Sequence, residues 1–354
     1  MITNLTRVNQ NEIYRRIQMA NPYHLKIMKL ESSSTWNDWR STNMINQPDL
    51  AEADLSRMAM TGIDISNGNF EGTKMLLSDF SDSVIVSTNF WMASMIAVNL
   101  SGCNLLESRF VNANLIRANL SKSNLSFADF SNAKLNQAKL QSCTFYGARM
   151  FKTELQRADL SNAKLFAANL SHANLAKSNL SSAVLAEANL VRANLSNANL
   201  SGADFSGAKM RGANLRGAVL VNVNFNRADL RHADLAGATL INCDLRQAEL
   251  DQAQLPQSDT KGLKRLVGLC KSWNFRRLSP TLANLAHSEK GHGKAPQPYQ
   301  NGAKAFQGRN EAAVDLLLNH IAVLRDVHGL ITQSSDLKPK DAAQNRKING
   351  QNKK

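Results

Sequence analysis

Four of the seven histidines are candidates for a metal or catalytic site, because they recur in pairs along the sequence. The candidates are His172, His232, His287 and His292. The first two hold the same position in a five-residue sequence repeat, and the last two lie close together farther along the chain. The repeat also places Asp or Asn at regular intervals, and pairs of carboxylates can perform acid–base catalysis when they face each other. Whether any of these side chains can act together depends on the elements that hold them.

A repeat of five residues occupies the chain from about residue 46 to residue 255. Every fifth residue from Leu50 to Leu255, 42 positions in all, is Leu, Phe, Met or Ile. A small residue, usually Ala, stands two places before most of them, and the exceptions cluster in the first coils at Pro48, Met58 and Ile63. Two residues spaced two apart point to the same side of an extended strand, and the Asn and Asp between units form turns readily. A helix is excluded, because a period of five leaves no apolar stripe at 3.6 residues per turn. The pattern predicts a solenoid of short walls and corners.

The spacing of two residue types predicts how many walls make one coil. Phenylalanines recur at intervals of 20 and cysteines at multiples of 20: Phe70, Phe90, Phe110 and Phe130, and Cys103, Cys143 and Cys243. Three walls per coil would scatter both sets over different faces. Four walls of five residues place each set in one stack, so a four-sided coil is predicted.

Typical units read Ala-Asn-Leu-Ser-Asn or Ala-Asp-Leu-Arg-His, and this tandem pattern resembles the pentapeptide repeat family. The resemblance covers about 210 of the 354 residues. It implies an all-β solenoid, a right-handed four-sided β-helix with the large residue and the preceding small residue inside. With about 4.8 Å between coils, such a rod would be roughly 50 Å long. Family members include DNA-mimicking gyrase binders, secreted bacterial effectors and many proteins of unknown role, so the resemblance specifies the fold better than the function.

A solenoid keeps the candidate reactive residues apart. His172 and His232 would lie three coils apart, about 14 Å, which is too far for a shared metal ion. Cys103 and Cys143 would be separated by about 9–10 Å, farther than a disulfide allows, so free thiols are expected. The sequence contains neither a glycine-rich phosphate loop nor a Ser-His-Asp arrangement that a rod would hold together. We therefore expect no enzymatic activity, no metal and no cofactor.

The net charge of +14 is concentrated at the C-terminal end of the chain. Residues 46–255 contain 19 Lys and Arg against 18 Asp and Glu, whereas residues 256–354 contain 17 against 7. DNA mimicry needs a strongly anionic rod, and the unbroken register leaves no room for the loops found in quinolone-resistance members, so the gyrase-binding alternative is less favoured.

A basic stripe is predicted along one corner of the rod. Coils of 20 residues would align Arg117, Arg157 and Lys177, which could follow a phosphate backbone. A solvated surface that keeps a long rod soluble is the favoured explanation of the stripe. Because few aromatic residues are expected outside the interior to stack bases, a nucleic-acid partner is not expected.

The segments that flank the repeat are predicted to be helical or unstructured. Residues 1–45 form a helical cap that covers the exposed end of the first coil, or else bind a partner, and Trp36 and Trp39 suit either role. Residues 256–286 form a basic amphipathic helix, either a lid on the last coil or a contact to nucleic acid or an anionic membrane surface. Residues 287–310 are a flexible linker, 311–330 an amphipathic helix and 331–354 a disordered basic tail.

The helix at 311–330 is the predicted site of association. Its apolar residues need a surface, because an isolated helix of this length is marginal in water: Val314, Leu317, Leu318, Ile321 and Leu324. We expect a non-enzymatic scaffold for protein–protein interaction or self-association, in the manner of a bacterial effector, with DNA gyrase or topoisomerase binding as the alternative. Without an apolar leader or an 18-residue apolar run, a cytoplasmic protein with no membrane span is expected, and export without a cleaved signal is the open alternative.

Overall fold

The computed structural model describes residues 19–30 and 32–256. Two helices, α1 (Pro22–Leu30) and α2 (Ser33–Thr42), come before a long β-helix. Pro22 begins α1, where its missing N–H would have no helical partner. Ser32 caps α2 by accepting the N–H of Thr35 at 3.2 Å. Residues 1–18 of the predicted N-terminal cap, the predicted C-terminal helices, the linker and the basic tail, including the site at Val314–Leu324, lie outside the described residues.

The β-helix is built from coils of 20 residues. Every bridge is parallel and joins a residue to the one 20 positions later, from Asp49–Asn69 to Asp234–Gln254. Near the end of the described chain, β1 (Val219–Val221) and β2 (Thr239–Ile241) pair in the same register. Four units of five residues therefore make one coil, and the predicted right-handed, four-sided β-helix is confirmed.

Backbone hydrogen bonds connect each coil to both of its neighbours. The N–H of Asn114 donates to the carbonyl of Ala93 in the preceding coil at 2.9 Å, and the N–H of Leu115 donates to the carbonyl of Lys134 in the following coil at 2.7 Å. A wall only a few residues wide can satisfy its backbone groups in this way. Stability is consequently a sum of contacts between neighbouring coils.

Every corner contains one residue in the left-handed region of backbone conformation. In all 41 units from Glu52 to Gln252, the second residue after the large interior residue has φ between 52° and 72°. The N–H of Ala173 donates to the Leu170 carbonyl at 3.0 Å across such a corner, as in a type II turn. Glycine fills nine of these positions, and Val, Ile and Thr fill none.

The interior is a continuous stack of large and small residues. Leu170 and Leu190 are fully buried and Ala173 is 1 % exposed. The ring centroids of the predicted phenylalanine stack are 4.6–5.3 Å apart: Phe70, Phe90, Phe110 and Phe130. The interior therefore follows the inward register of the repeat.

Three cysteines occupy small interior positions as free, buried thiols: Cys103, Cys143 and Cys243. The Cys143 thiol donates to the carbonyl of Leu120 at 2.8 Å, and burial raises its pKa to about 12. Ser and Thr use the same position in the same way, and the Thr153 hydroxyl donates to the carbonyl of Phe130 at 2.8 Å. These thiols are structural, because the reactive thiolate is disfavoured.

Helix α2 supplies hydrogen bonds that a preceding coil would otherwise supply. Trp36 is fully buried, and its Nε1–H donates to the carbonyl of Asp64 at 2.8 Å. Asn37 accepts the N–H of Asp64 through Oδ1 at 2.8 Å and donates through Nδ2 to the carbonyl of Gly62 at 3.0 Å. The open edge of the first coil is thereby paired on wall 4, where it blocks the addition of a further strand.

Arg40 and His24 complete the contact between the helices and the first coil. The guanidinium of Arg40 donates to the Asp64 carboxylate and to the Ser66 carbonyl, each at 2.6 Å. Nδ1 of His24 accepts the N–H of Asp49 at 3.0 Å, so the ring accepts at that nitrogen as a neutral imidazole. Burial lowers the pKa of His24, although the nearby Asp49 acts in the opposite direction.

Candidate partner-binding face

The four walls are numbered by the residues at their outward-facing centres. Wall 1 carries every twentieth residue from Asp49, wall 2 from Asp54, wall 3 from Ala59 and wall 4 from Asp64. Two corner residues follow each wall. Corner 1–2 joins walls 1 and 2, corner 2–3 joins walls 2 and 3, and the others are named likewise.

The centre of wall 2 is neutral and hydrogen-bonded from Asn174 to Asn214. Asn194 Nδ2 donates to Asn174 Oδ1, and Asn214 Nδ2 donates to Asn194 Oδ1, both at 3.1 Å. Asn194 Oδ1 also accepts the N–H of Ser196 at 3.1 Å, which fixes the following turn. Because these amides bond one another and the backbone, specificity for a ligand must come from the corners beside them.

The predicted basic stripe lies on corner 2–3. Arg117, Arg157 and Lys177 are exposed and all adopt the left-handed conformation of the corner, with φ of 59–60°. Gln137 stands between the two arginines, and its Oε1 accepts from Arg117 Nε at 3.1 Å. The structure thus brings the three basic residues to one line along the rod.

A second basic line, which the sequence reasoning missed, runs along corner 1–2 on the other side of wall 2. Lys152 and Arg192 are exposed and separated by two coils, with His172 between them, and exposed Arg211 follows. The signal was available, because positions 20 or 40 residues apart share a corner. We name the cations on the two sides of wall 2 the basic strip: Lys152, Arg157, Lys177, Arg192, Arg211 and Arg216.

Apolar side chains occupy the two corners beside wall 2 nearer the N-terminus, on either side of Lys74, Ser94 and Asn114. Leu76, Ile96 and Ile116 hold the same corner position in three successive coils, and Leu77 and Met92 are each 56 % exposed. Most corners elsewhere carry Ser, Asn, Gly or a charged residue, so this change in corner composition was also visible in the sequence. We name these residues, with half-buried Trp91, the apolar patch: Leu76, Leu77, Trp91, Met92, Ile96 and Ile116.

The expectation that few aromatic residues lie outside the interior is wrong. Corner positions hold five aromatic side chains: Trp91, Phe127, Tyr146, Phe151 and Phe166. They lie on corners 1–2 and 4–1, where the ring centroids of Tyr146 and Phe166 are 6.5 Å apart and Lys152 Nζ is 5.2 Å from the Phe151 centroid. Each of these residues stands at a corner position of its repeat unit, so its place outside the interior could be predicted from the sequence.

Arginines near the C-terminal end of the described rod are paired with carboxylates. Arg231 lies 2.7 Å from Asp229, and Arg246 lies 2.6 Å from Asp244. The hydrogen bond from Arg231 helps to hold the pKa of Asp229 below its usual value, against the effect of burial. These pairs neutralise arginines near the C-terminal ends of walls 1 and 4, whereas five of the six cations of the basic strip have no ion pair with a carboxylate among the described residues.

The described residues contain neither a cluster of metal ligands nor a helix that could cross a membrane. Within 19–30 and 32–256, no three His, Cys, Asp or Glu side chains lie close enough together to hold a metal ion. His172 and His232 are three coils apart along corner 1–2, as their spacing predicted. Neither α1 nor α2 has the length and apolar character needed to cross a membrane.

Comparisons with known proteins agree with the repeat architecture. The family model "Pentapeptide repeats" matches eight copies within residues 93–126, 128–165, 163–202, 198–235 and 224–259. The comparison with curated protein sequences finds no match.

Several solved structures are similar to this chain. HetL, a pentapeptide repeat protein involved in heterocyst differentiation regulation from Nostoc sp. strain PCC 7120, is 31 % identical, with 60 % of this chain and 90 % of HetL covered and a TM-score of 0.48. A pentapeptide repeat protein from the Arabidopsis thaliana thylakoid lumen is 34 % identical over 28 % of this chain and 65 % of its own, with a TM-score of 0.21. QnrB1, a plasmid-mediated fluoroquinolone resistance protein, is 21 % identical over 60 % of this chain and 99 % of its own, with a TM-score of 0.25. The eight matched copies of the family model and the 20-residue coils built from five-residue units show that this chain belongs to the pentapeptide repeat family.

Proposed function

We propose that the protein is a non-catalytic scaffold that binds a partner protein through wall 2 of its β-helix. The observation that carries this proposal is the apolar patch. Leu77 and Met92 are each 56 % exposed and Leu76 is 38 % exposed, on a face where the repeat otherwise places polar residues. Contiguous exposed apolar side chains with polar surroundings are typical of protein-interaction sites.

The rigid backbone of the rod supports this use of the patch. Apolar residues of successive coils are held about 4.8 Å apart by the hydrogen bonds between coils, so a partner meets a preformed surface and little ordering is required. A DNA mimic would need an anionic wall, whereas the wall that carries the patch continues into cations. We therefore do not propose gyrase binding.

The test compares partner capture by the wild-type chain with capture by a doubly substituted variant, Leu77→Glu with Met92→Glu. Both residues occupy the left-handed corner position, where Glu52, Glu107 and Glu187 already stand, so the fold should persist. The control is Val84→Glu, which places one carboxylate on an apolar residue of wall 4 that is 44 % exposed. Immobilised proteins are incubated with an extract of the source cells, and retained proteins are identified by mass spectrometry.

A specific protein retained by the wild type and by Val84→Glu, but not by the double variant, would support the proposal. Equal retention by all three chains would contradict it. Circular dichroism and thermal unfolding of each variant confirm that the β-helix is intact before capture is compared.

A further inference from the structure

The basic strip gives wall 2 a charge that differs sharply from that of the opposite wall. Wall 2 with its two corners, over residues 151–217, carries the six cations of the strip against one carboxylate, Glu154. Wall 4 with its corners, over residues 141–207, carries Lys164 against Asp204 and Glu187. The asymmetry belongs to one side of the rod, because residues 46–255 as a whole are almost neutral.

Most of the strip is available to an anionic ligand. Arg216 pairs with Asp234 at 2.9 Å, but within residues 32–256 the other five cations make no ion pair with a carboxylate. The acceptor Glu154 is itself occupied, since its Oε2 accepts from Asn136 Nδ2 at 2.9 Å. Cations aligned over a neutral asparagine ladder attract anions by their summed field.

The apolar patch and the basic strip form one continuous face. Exposed Lys134 stands at the centre of wall 2 between them. From Leu76 to Arg216 the face extends over seven coils, which is about 34 Å. An α-helix of about 22 residues has the same length, and its pitch of 5.4 Å is close to the coil spacing. Flexible Lys and Arg side chains can absorb the small difference.

The combination of aliphatic and cationic groups selects among possible occupants. A nucleic acid is charged along its whole length and would place phosphates against Leu76 and Ile96. The chain's own C-terminal region, residues 256–354, has 17 Lys and Arg against 7 Asp and Glu. Its one net acidic segment, 311–330, carries its three carboxylates near both ends (Glu311, Asp315 and Asp326) and not along one half, so it does not match the division of the face into an apolar and a cationic part. A second copy aligned antiparallel on wall 2 would place the apolar patch of one chain against the cations of the other, so neither group would meet a complementary surface.

We infer that wall 2 binds an acidic, amphipathic helical segment of a partner protein, with apolar side chains over the patch and carboxylates along the strip. This inference rests on the proposed function and adds the chemistry and orientation of the ligand. Exposed charge pairs contribute modestly to affinity but govern specificity and the rate of association. Binding should therefore bury apolar side chains at the apolar patch, and its affinity should fall with added salt because of the charge pairs at the basic strip.

The experiment uses fluorescent synthetic peptides of about 22 residues. Two peptides carry leucines at helical spacing in one half and glutamates in the other, in opposite orders along the chain. A third replaces every glutamate with glutamine, and a DNA duplex of about 20 base pairs, roughly twice the length of the face, tests the nucleic-acid alternative. Fluorescence anisotropy measures binding to the full-length protein.

The variants compare the basic strip on wall 2 with a basic residue on the opposite wall. In Lys177→Glu with Arg192→Glu, both residues lie at the corner position that already accepts glutamate, and affinity for an acidic peptide should fall by about tenfold or more. The control is a single charge reversal on wall 4, Lys164→Glu. The affinity of this variant for the acidic peptide should stay within about twofold of that of the wild type. The glutamine peptide should bind more weakly than its acidic parent. Added salt should lower the affinity of the acidic peptide more than that of the glutamine peptide.

Three results would overturn the inference: no binding of either acidic peptide, equal loss of affinity in the wall 2 and wall 4 variants, or tighter binding of the duplex with the same dependence on Lys177 and Arg192. If the peptides fail while an extract protein is still captured through the apolar patch, the inferred ligand chemistry is wrong and the proposed function stands. If extract capture fails as well, both are wrong.

Discussion

Replacing Ala167 with valine should destabilise the β-helix, whereas the same replacement at Ala186 should have little effect. Ala167 is exposed and occupies the left-handed corner position with φ of 54°. Ala186 occupies the preceding corner position of the next coil, where φ is not positive and where Val86, Val111 and Val191 already stand in other coils. The two changes add the same side chain at the surface and differ in backbone conformation.

The magnitude follows from the cost of the left-handed region. An alanine there already costs about 1–2 kcal/mol relative to the right-handed region, because Cβ approaches a backbone carbonyl. The branched Cβ of valine increases that conflict, and strained residues of this kind cost about 1–3 kcal/mol. We therefore expect Ala167→Val to lower the free energy of unfolding by about 1–2 kcal/mol. Ala186→Val should stay within about 0.5 kcal/mol, as surface changes usually do.

Guanidinium unfolding followed by circular dichroism measures both values from the shift of the midpoint at constant slope. Ala167→Gly serves as a further variant of the same position. Glycine relieves the conformational cost in the folded chain but loses more entropy on folding, so its stability should equal or exceed that of the wild type. If Ala167→Val and Ala186→Val shift the midpoint equally, the argument from corner conformation is refuted.

Three other perturbations test the core, the cap and the C-terminal region. Leu170→Ala should reduce the free energy of unfolding by about 2–5 kcal/mol through a cavity, and a silent substitution in thermal unfolding would refute the inward register. Because burial lowers the pKa of His24, the folded chain binds that proton more weakly than the unfolded chain. Stability should therefore decline as the pH falls below about 6.5, and His24→Gln, which keeps an acceptor for the Asp49 N–H, should reduce the decline in unfolding midpoints measured from neutral to mildly acid pH. Removing residues 288–354, and with them the predicted association helix, should leave the melting of the rod unchanged and lower the mass measured by light scattering; an unfolded or aggregated product would instead indicate a lid.

The repeat made the fold predictable because the same constraint recurs in every unit. The interval of 20 residues between Phe70, Phe90, Phe110 and Phe130 indicated four walls, and bridges between residues 20 apart confirm them. The left-handed corner was not predicted, although the absence of Val, Ile and Thr from 41 equivalent positions was a signal for it.

The N-terminal cap shows where reasoning from periodicity ends. The sequence allowed Trp36 to be a core residue or part of a site, and the structure buries it with its Nε1–H on the Asp64 carbonyl. That hydrogen bond joins residues 28 positions apart, and no period relates them. Within the described residues, contacts of this kind join the cap to the first coil and do not recur from coil to coil, so a pattern that depends on repetition cannot reveal them.

The constraints of the repeat also indicate where the specificity of this rod must lie. In each unit the large and small interior positions are fixed by packing, and the left-handed corner position excludes β-branched residues. Only the wall centre and the corner positions can vary in charge or polarity without loss of the fold. On wall 2 these positions change from Leu76, Met92 and Ile96 to Lys177 and Arg192 along the rod, while the interior behind them stays Leu, Phe and Met. Since packing requires none of these outward side chains, a role at the surface is the better explanation for their order.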